Sequence, residues 1–184
     1  MVAGDLARDY HSDLVETIRL NDFTYQDGRV SVHLAKEFGF CYGVERAVDY
    51  AYQTRKKFPE RTVYLTGEII HNPHVNARLR AAGIRFLSDP SESIEHVTSN
   101  AVVILPAFGV TIHELERLIS SDCTLVDTTC GSVLNVWKNV RQYARDGYTA
   151  VIHGKVKHEE TQATASQASV TDNGRYLIVL NRKE

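Results

Sequence analysis

The chain has 184 residues, 43% of them hydrophobic, and its 21 basic and 23 acidic residues leave a formal net charge of −2. That length buries enough apolar surface for one large domain or two small ones without disulfide staples, and the near balance of charge provides no overall positive field to recruit nucleic acid or an anionic membrane. The segment Met1 to Asp13 lacks an apolar core of signal-peptide length, and no later run approaches the roughly 18 apolar residues of a membrane span, so a soluble, cytoplasmic protein is expected.

Residues 1–29 read as a polar N-terminal extension, with Leu14, Ile18 and Leu20 suggesting one short helix before Asn21 and Asp22. From Val30 a strand-like run to Ala35 leads through Gly39, Cys41 and Gly43 into Val44, Ala47, Val48 and Ala51, which recur at helical spacing. The same grammar continues with a strand at Val63–Leu65, a helix over Val75–Ala81 closed by Gly83, and strands at Ile84–Leu87 and Val102–Leu105. A helix over His113–Ile119, a strand at Thr124–Val126 and a helix over Val133–Tyr143 follow, then strands at Thr149–Ile152 and Tyr176–Leu180. Strands alternating with helices of about ten residues predict repeated small α/β modules with parallel sheets. Aligned on the cysteines, Cys41 and Cys130 are each followed by apolar residues at the same offsets, Val44, Ala47, Val48 and Ala51 in one case and Val133, Val136, Trp137 and Val140 in the other. The predicted modules are therefore 30–128, containing the Cys41 loop, and 129–184, containing the Cys130 loop. A third module at the same offset would carry a further cysteine beyond residue 184.

Three cysteines in a chain with no secretion signal argue against a disulfide framework and point to metal or redox chemistry. Cys41, between Gly39 and Gly43 at a predicted helix start, lies where free N–H groups and the helix dipole favour a thiolate. Cys130, approached through Asp127, Thr128 and Thr129, holds the equivalent place, and both are read as metal ligands. Cys123 has neither a repeat partner nor a glycine loop and reads as structural. His71, in Ile70-His71-Asn72-Pro73, stands before a predicted helix, where an anionic group is readily anchored. His158, Glu159 and Glu160 place an imidazole and carboxylates within two residues, suited either to proton supply and phosphate binding or simply to a solvated helix start.

Four motifs, Gly39-Phe40-Cys41-Tyr42-Gly43-Val44-Glu45-Arg46-Ala47, Glu68-Ile69-Ile70-His71-Asn72-Pro73, Asp127-Thr128-Thr129-Cys130 and His158-Glu159-Glu160-Thr161-Gln162-Ala163-Thr164, resemble in order those of the LytB or IspH family. Leu105-Pro106-Ala107-Phe108-Gly109 and Ile152-His153-Gly154-Lys155 look most like its cyanobacterial and plant branch. The resemblance implies a reductase of 4-hydroxy-3-methylbut-2-enyl diphosphate that yields isopentenyl and dimethylallyl diphosphates, the last step of the non-mevalonate isoprenoid pathway. It implies three α/β modules in a trefoil around a 4Fe–4S cluster held by three cysteines, with ferredoxin or flavodoxin as electron donor and, in a plant-like source, a place in the plastid stroma. Cys41 and Cys130 match two cluster ligands, Glu160 matches the proton donor, and His71 and His158 match histidines that contact the diphosphate or the buried polar network. The third ligand is then expected beyond residue 184, which makes the chain by itself an incomplete, inactive piece. Two departures stand out: Phe108 replaces a histidine of many members, and Gly131-Ser132 follow Cys130 where proline is usual. The rival expectation is a non-catalytic scaffold or interaction protein derived from the reductase. A zinc or thiol-redox domain is weaker, because Cys41 and Cys130 lack C-x-x-C spacing.

Overall fold

The computed structural model describes residues 9–181 and Lys183 and divides into two compact units, residues 1–41 and 42–184. In the first unit, helix α1 (Asp13–Leu20) starts at Ser12, whose hydroxyl accepts from the Val15 N–H at 3.4 Å. Strands β1 (Thr24–Asp27) and β2 (Val30–His33) then form an antiparallel hairpin with Asp27 opposite Val30. Its two-residue loop is Gly28-Arg29, and Gly28 adopts φ +55° at the first loop position, where glycine carries no strain. The strand expected from Val30 is thus present but pairs with its own hairpin partner rather than joining a parallel sheet. Part of the polar extension expected over residues 1–29 is this helix and strand, and residues 1–8 lie outside the described residues.

The second unit begins with helix α2 (Tyr42–Lys57), whose Ala47, Val48 and Ala51 are buried at the helical spacing read from the sequence. A four-stranded sheet follows, ordered β4-β3-β5-β6 and parallel throughout, from β3 (Val63–Leu65), β4 (Arg85–Phe86), β5 (Val102–Leu105) and β6 (Thr124–Asp127). Helix α3 (Pro73–Ala81) connects β3 to β4, and α4 (Ile112–Ser120) connects β5 to β6. All four residues of β5 are buried, as befits a strand covered on both faces. Val103 and Leu105 pack on one side with Tyr64, Val97, Ala101, Val110 and Leu118, while the alternate residues Val102 and Ile104 are fully buried on the other. Cys123 packs against the first cluster, as its structural reading expects.

Two helix starts of this unit are fixed by local side chains, and a third is not. Asn72 caps α3, its side-chain oxygen accepting from the His74 and Val75 N–H groups at 3.0 and 3.2 Å, with Pro73 at the first helical position. Thr111 and Glu114 form a capping box at α4. Helix α5 (Gly131–Arg145) starts after Cys130 with no side-chain cap at all. Beyond it, β7 (Thr149–His153) and β8 (Arg175–Val179) form a separate two-stranded parallel sheet linked through α6 (Glu159–Ser166). The expected boundary after Thr128 falls within the second unit, between the last strand of the four-stranded sheet and α5. Ser166 of α6 accepts from the Ile112 N–H at 3.1 Å, which joins α6 to α4. Among the described residues, no helix is long and apolar enough to cross a membrane.

Candidate active site

Parallel strands gather loops at their carboxyl ends, and the chemistry-bearing residues of the second unit collect there. The loop after β3 carries Glu68 and His71, the loop after β5 carries Phe108, and the start of α6 carries His158 and Glu159. These loops converge. The His71 ring stacks on Phe108, with centroids 5.2 Å apart and planes at 15°, and meets His158 edge-on at 4.8 Å. Phe108 is buried, so its ring is a fixed wall.

A carboxylate holds His71 from the other side. Its Nδ1–H donates to Glu68 Oε2 at 2.9 Å, which leaves Nε2 facing Glu159 Oε2 at 3.8 Å. One donor atom each from His71, His158 and Glu159 lies within 4.8 Å of the others. Beside Glu159 opens a small cavity of about 90 Å³, lined by Thr66, Gly67, Phe108, Glu114 and Gln162 among others. Its lining includes Thr66 and Pro106, the residues that directly follow β3 and β5.

Of the site residues read from the sequence, the structure brings together His71 and His158 and adds Glu159, Glu68 and Phe108. Glu160 is exposed, and its carboxylate has no hydrogen-bond or ion-pair partner among the described residues. Glu68 was missed, although its place three residues before His71 is a signal for a short-range carboxylate–imidazole pair. His153 ends β7, and its Nε2 pairs with the Leu180 carbonyl at 2.9 Å, a contact internal to the second sheet.

The thiols divide as their local settings dictate. Cys130 is half-buried, unbridged and placed at the N-cap of α5, where its sulfur makes no capping bond. The approach to it is rigid: Thr128 Oγ1 donates to the Leu105 carbonyl at 2.6 Å, and the Thr129 N–H donates to Asp127 Oδ1 at 2.9 Å. Gly43, in the first turn of α2, packs directly on Cys130, and any side chain at position 43 would run into its Sγ. Cys41 is an exposed, unbridged thiol immediately before α2. Cys123 by contrast directs its Sγ toward the Leu118 carbonyl at 3.5 Å and lies against the core. Cys41 and Cys130 thus stand at helix starts with no sulfur hydrogen bond among the described residues, whereas the Cys123 sulfur has one.

A parallel α/β protein with free thiols at helix starts and a histidine–carboxylate cluster at its strand ends defines a class that binds ligands at loop clusters, with donors suited to metals and anions. The family described as LytB protein matches residues 32–184, and the chain belongs to that family. It is 47% identical over 185 residues to a protein named 4-hydroxy-3-methylbut-2-enyl diphosphate reductase from Picosynechococcus, covering 100% of this chain and 45% of that protein. A protein of the same name from Gloeobacter violaceus is 48% identical over 189 residues, with 44% of its length covered. The chain thus spans less than half the length of these relatives. The solved structure of (E)-4-hydroxy-3-methyl-but-2-enyl diphosphate reductase matches with a TM-score of 0.68 and 32% identity, over 81% of this chain and 50% of that one. The corresponding reductase from Plasmodium falciparum gives a TM-score of 0.72 at 26% identity, over 80% and 44%.

Proposed function

We propose that this chain supplies two thiolates and the diphosphate-facing loops of an iron–sulfur reductase acting on 4-hydroxy-3-methylbut-2-enyl diphosphate. Cys41 and Cys130 hold a 4Fe–4S cluster, with modules 30–128 and 129–184 each contributing one ligand. When bound, the cluster supplies two electrons and Lewis acidity toward the allylic hydroxyl. The C–O bond breaks, the oxygen leaves as water, and two electrons and two protons are consumed, giving isopentenyl or dimethylallyl diphosphate. Electrons come from a ferredoxin or flavodoxin, in the cytoplasm or a plastid stroma.

The chain's own residues bind the substrate and manage its protons. His71 and His158 donate hydrogen bonds to diphosphate oxygens, and the Glu68 carboxylate fixes the ring orientation of His71. Phe108 offers no hydrogen bond, so its part is to wall the site and hold the His71 plane. Glu160 gives the proton to the leaving oxygen, and Glu159 orients the imidazoles. The observation that carries the reading is the convergence of His71 and His158, from loops far apart in sequence, on one carboxylate in a chain of the LytB family.

The test is a hybrid in which residues 32–184 replace the matching segment of the Gloeobacter violaceus relative. Anaerobic, dithionite-driven turnover of the substrate is expected, with binding weakened in His71→Ala and His158→Ala. A folded, cluster-loaded hybrid without turnover, or with turnover unaffected by both histidine substitutions, would remove the proposal and favour the scaffold reading.

A further inference from the structure

We propose that His71, His158 and Glu159 form a binding site for a divalent transition ion of the zinc and cobalt type. This site is separate from the cluster thiols; it uses the two histidines assigned above to the diphosphate, and its test does not require that assignment. Three features carry the inference.

The donor set is the first. Two imidazoles and one carboxylate are nitrogen and oxygen ligands of intermediate softness, the combination that leaves an open position on a four-coordinate zinc-type ion. Their donor atoms already lie within 4.8 Å of one another. Bonds of about 2.0–2.1 Å require ligand–ligand separations of roughly 3–3.5 Å, so His158 and Glu159 must close on the His71 nitrogen by about 1 Å.

The second feature is the orientation of His71. Its Nδ1–H is committed to Glu68 Oε2 at 2.9 Å, so the neutral ring turns its lone pair, on Nε2, toward Glu159 at 3.8 Å. A carboxylate behind a histidine ligand fixes the tautomer and raises the basicity of the coordinating nitrogen. Other exposed histidine–carboxylate pairs of this chain, His11 with Asp13 and His96 with Glu92, have no such second histidine beside them among the described residues.

The third is rigidity on one side. Phe108 is buried and stacked flat on His71, which limits rotation of the ring and lowers the entropy lost on coordination. The consequence for chemistry is direct. An ion at this point occupies the His71 Nε2 and His158 nitrogens, which could donate to an anionic ligand only when they carry a proton, so metal and diphosphate compete unless the ion itself receives the phosphate oxygens.

The test is cobalt(II) titration of the full chain, followed by visible d–d absorption. Sulfur-to-cobalt charge transfer in the near ultraviolet identifies any ion held by the cysteines, and a Cys41→Ser/Cys123→Ser/Cys130→Ser chain removes that signal. The expected result is one cobalt per chain with a nitrogen/oxygen spectrum, displaced by zinc and retained in the cysteine-free chain. His71→Ala, His158→Ala and Glu159→Gln should each weaken binding at least tenfold, and Glu68→Gln about 10–100-fold as the orienting carboxylate is lost. His96→Ala should bind as the parent does. Circular dichroism verifies that each variant folds. Should the cysteine-free chain misfold, the parent's d–d bands and their loss in His71→Ala decide the question. Absence of nitrogen/oxygen-ligated cobalt in the folded parent, or binding indifferent to His71→Ala and His158→Ala, overturns the proposal.

Discussion

Gly109 connects the packing of the second unit to the site, and Gly109→Ala is the sharpest single perturbation of that connection. The residue has φ +75°, in the left-handed region that disfavours a Cβ by about 1–2 kcal/mol. A Cβ there would also lie 2.6 Å from Trp137 Cζ2, nearer still to Cη2, and 3.3 Å from Thr129 Cγ2. Such overpacking typically adds about 1–3 kcal/mol. The indole cannot retreat freely, because its Nε1–H donates to Thr164 Oγ1 at 3.2 Å, and losing that bond forfeits about 1 kcal/mol more. The three contributions involve touching groups and do not add fully, so a loss of about 2–4 kcal/mol is expected. Trp137 is the chain's single tryptophan, which makes fluorescence-monitored urea unfolding both a stability assay and a local reporter. Gly109→Ala should lower the urea midpoint and shift the native emission. Gly131→Ala, where nothing lies within 4 Å of the added methyl, should change stability by less than about 1 kcal/mol. An unchanged midpoint and unchanged native emission in Gly109→Ala would show that Trp137 does not hold the Phe108–Gly109 turn.

Three further outcomes are expected. Arg61 donates to the Asn100 carbonyl at 2.7 Å and to the Ala101 carbonyl and Thr124 Oγ1, each at 2.9 Å, tying the starts of β5 and β6, so Arg61→Ala should destabilise the chain by about 2–4 kcal/mol in the same unfolding assay. Anaerobic reconstitution of the 184-residue chain should yield only chelator-labile iron, because two thiolates leave a cluster under-ligated; about four irons and four sulfides per chain, stable to chelator, would contradict this. In the hybrid, Glu160→Gln should preserve substrate binding while lowering turnover about 10²–10⁴-fold, and an equal or greater loss in Glu159→Gln with near-normal Glu160→Gln would move the proton-donor role to Glu159.

Much of the second unit was legible because its elements have strong periodicity. Val44, Ala47, Val48 and Ala51 mark α2, and the uninterrupted apolar run Val102–Leu105 marks a strand buried on both faces. The hairpin of β1 and β2 was not read, since its residues are nearly all exposed and carry no apolar alternation toward a core. Gly28 at the first position of the two-residue loop was the available signal. Helix α6 lacks an apolar stripe; it buries Thr161, Ala163 and Ala165, small residues that hydrophobic spacing does not reveal.

The candidate site was legible as residue types and loop positions, but its phasing was not. His158-Glu159-Glu160 begins a helix, and only the azimuth of that first turn decides which carboxylate faces His71; the structure turns Glu159 that way. Phe108 was read as a lost histidine, whereas the structure gives its ring a definite contact, the flat face of His71. That contact depends on two loops separated by α3, β4 and β5, which local pattern does not encode. The distinction among the cysteines rested on repeat position; the structure adds only that the Cys123 sulfur lies at 3.5 Å from the Leu118 carbonyl.

The central claim is that Cys41 and Cys130, and not Cys123, are the thiolates that this chain brings to an iron–sulfur cluster. The most direct measurement is the Mössbauer spectrum and iron content of the anaerobically purified, iron-57-labelled hybrid and its three Cys→Ser variants. The account predicts a 4Fe–4S spectrum in the parent hybrid and in Cys123→Ser, and its loss in Cys41→Ser and in Cys130→Ser. An intact cluster in either of those two folded variants, or a cluster lost only in Cys123→Ser, would contradict it.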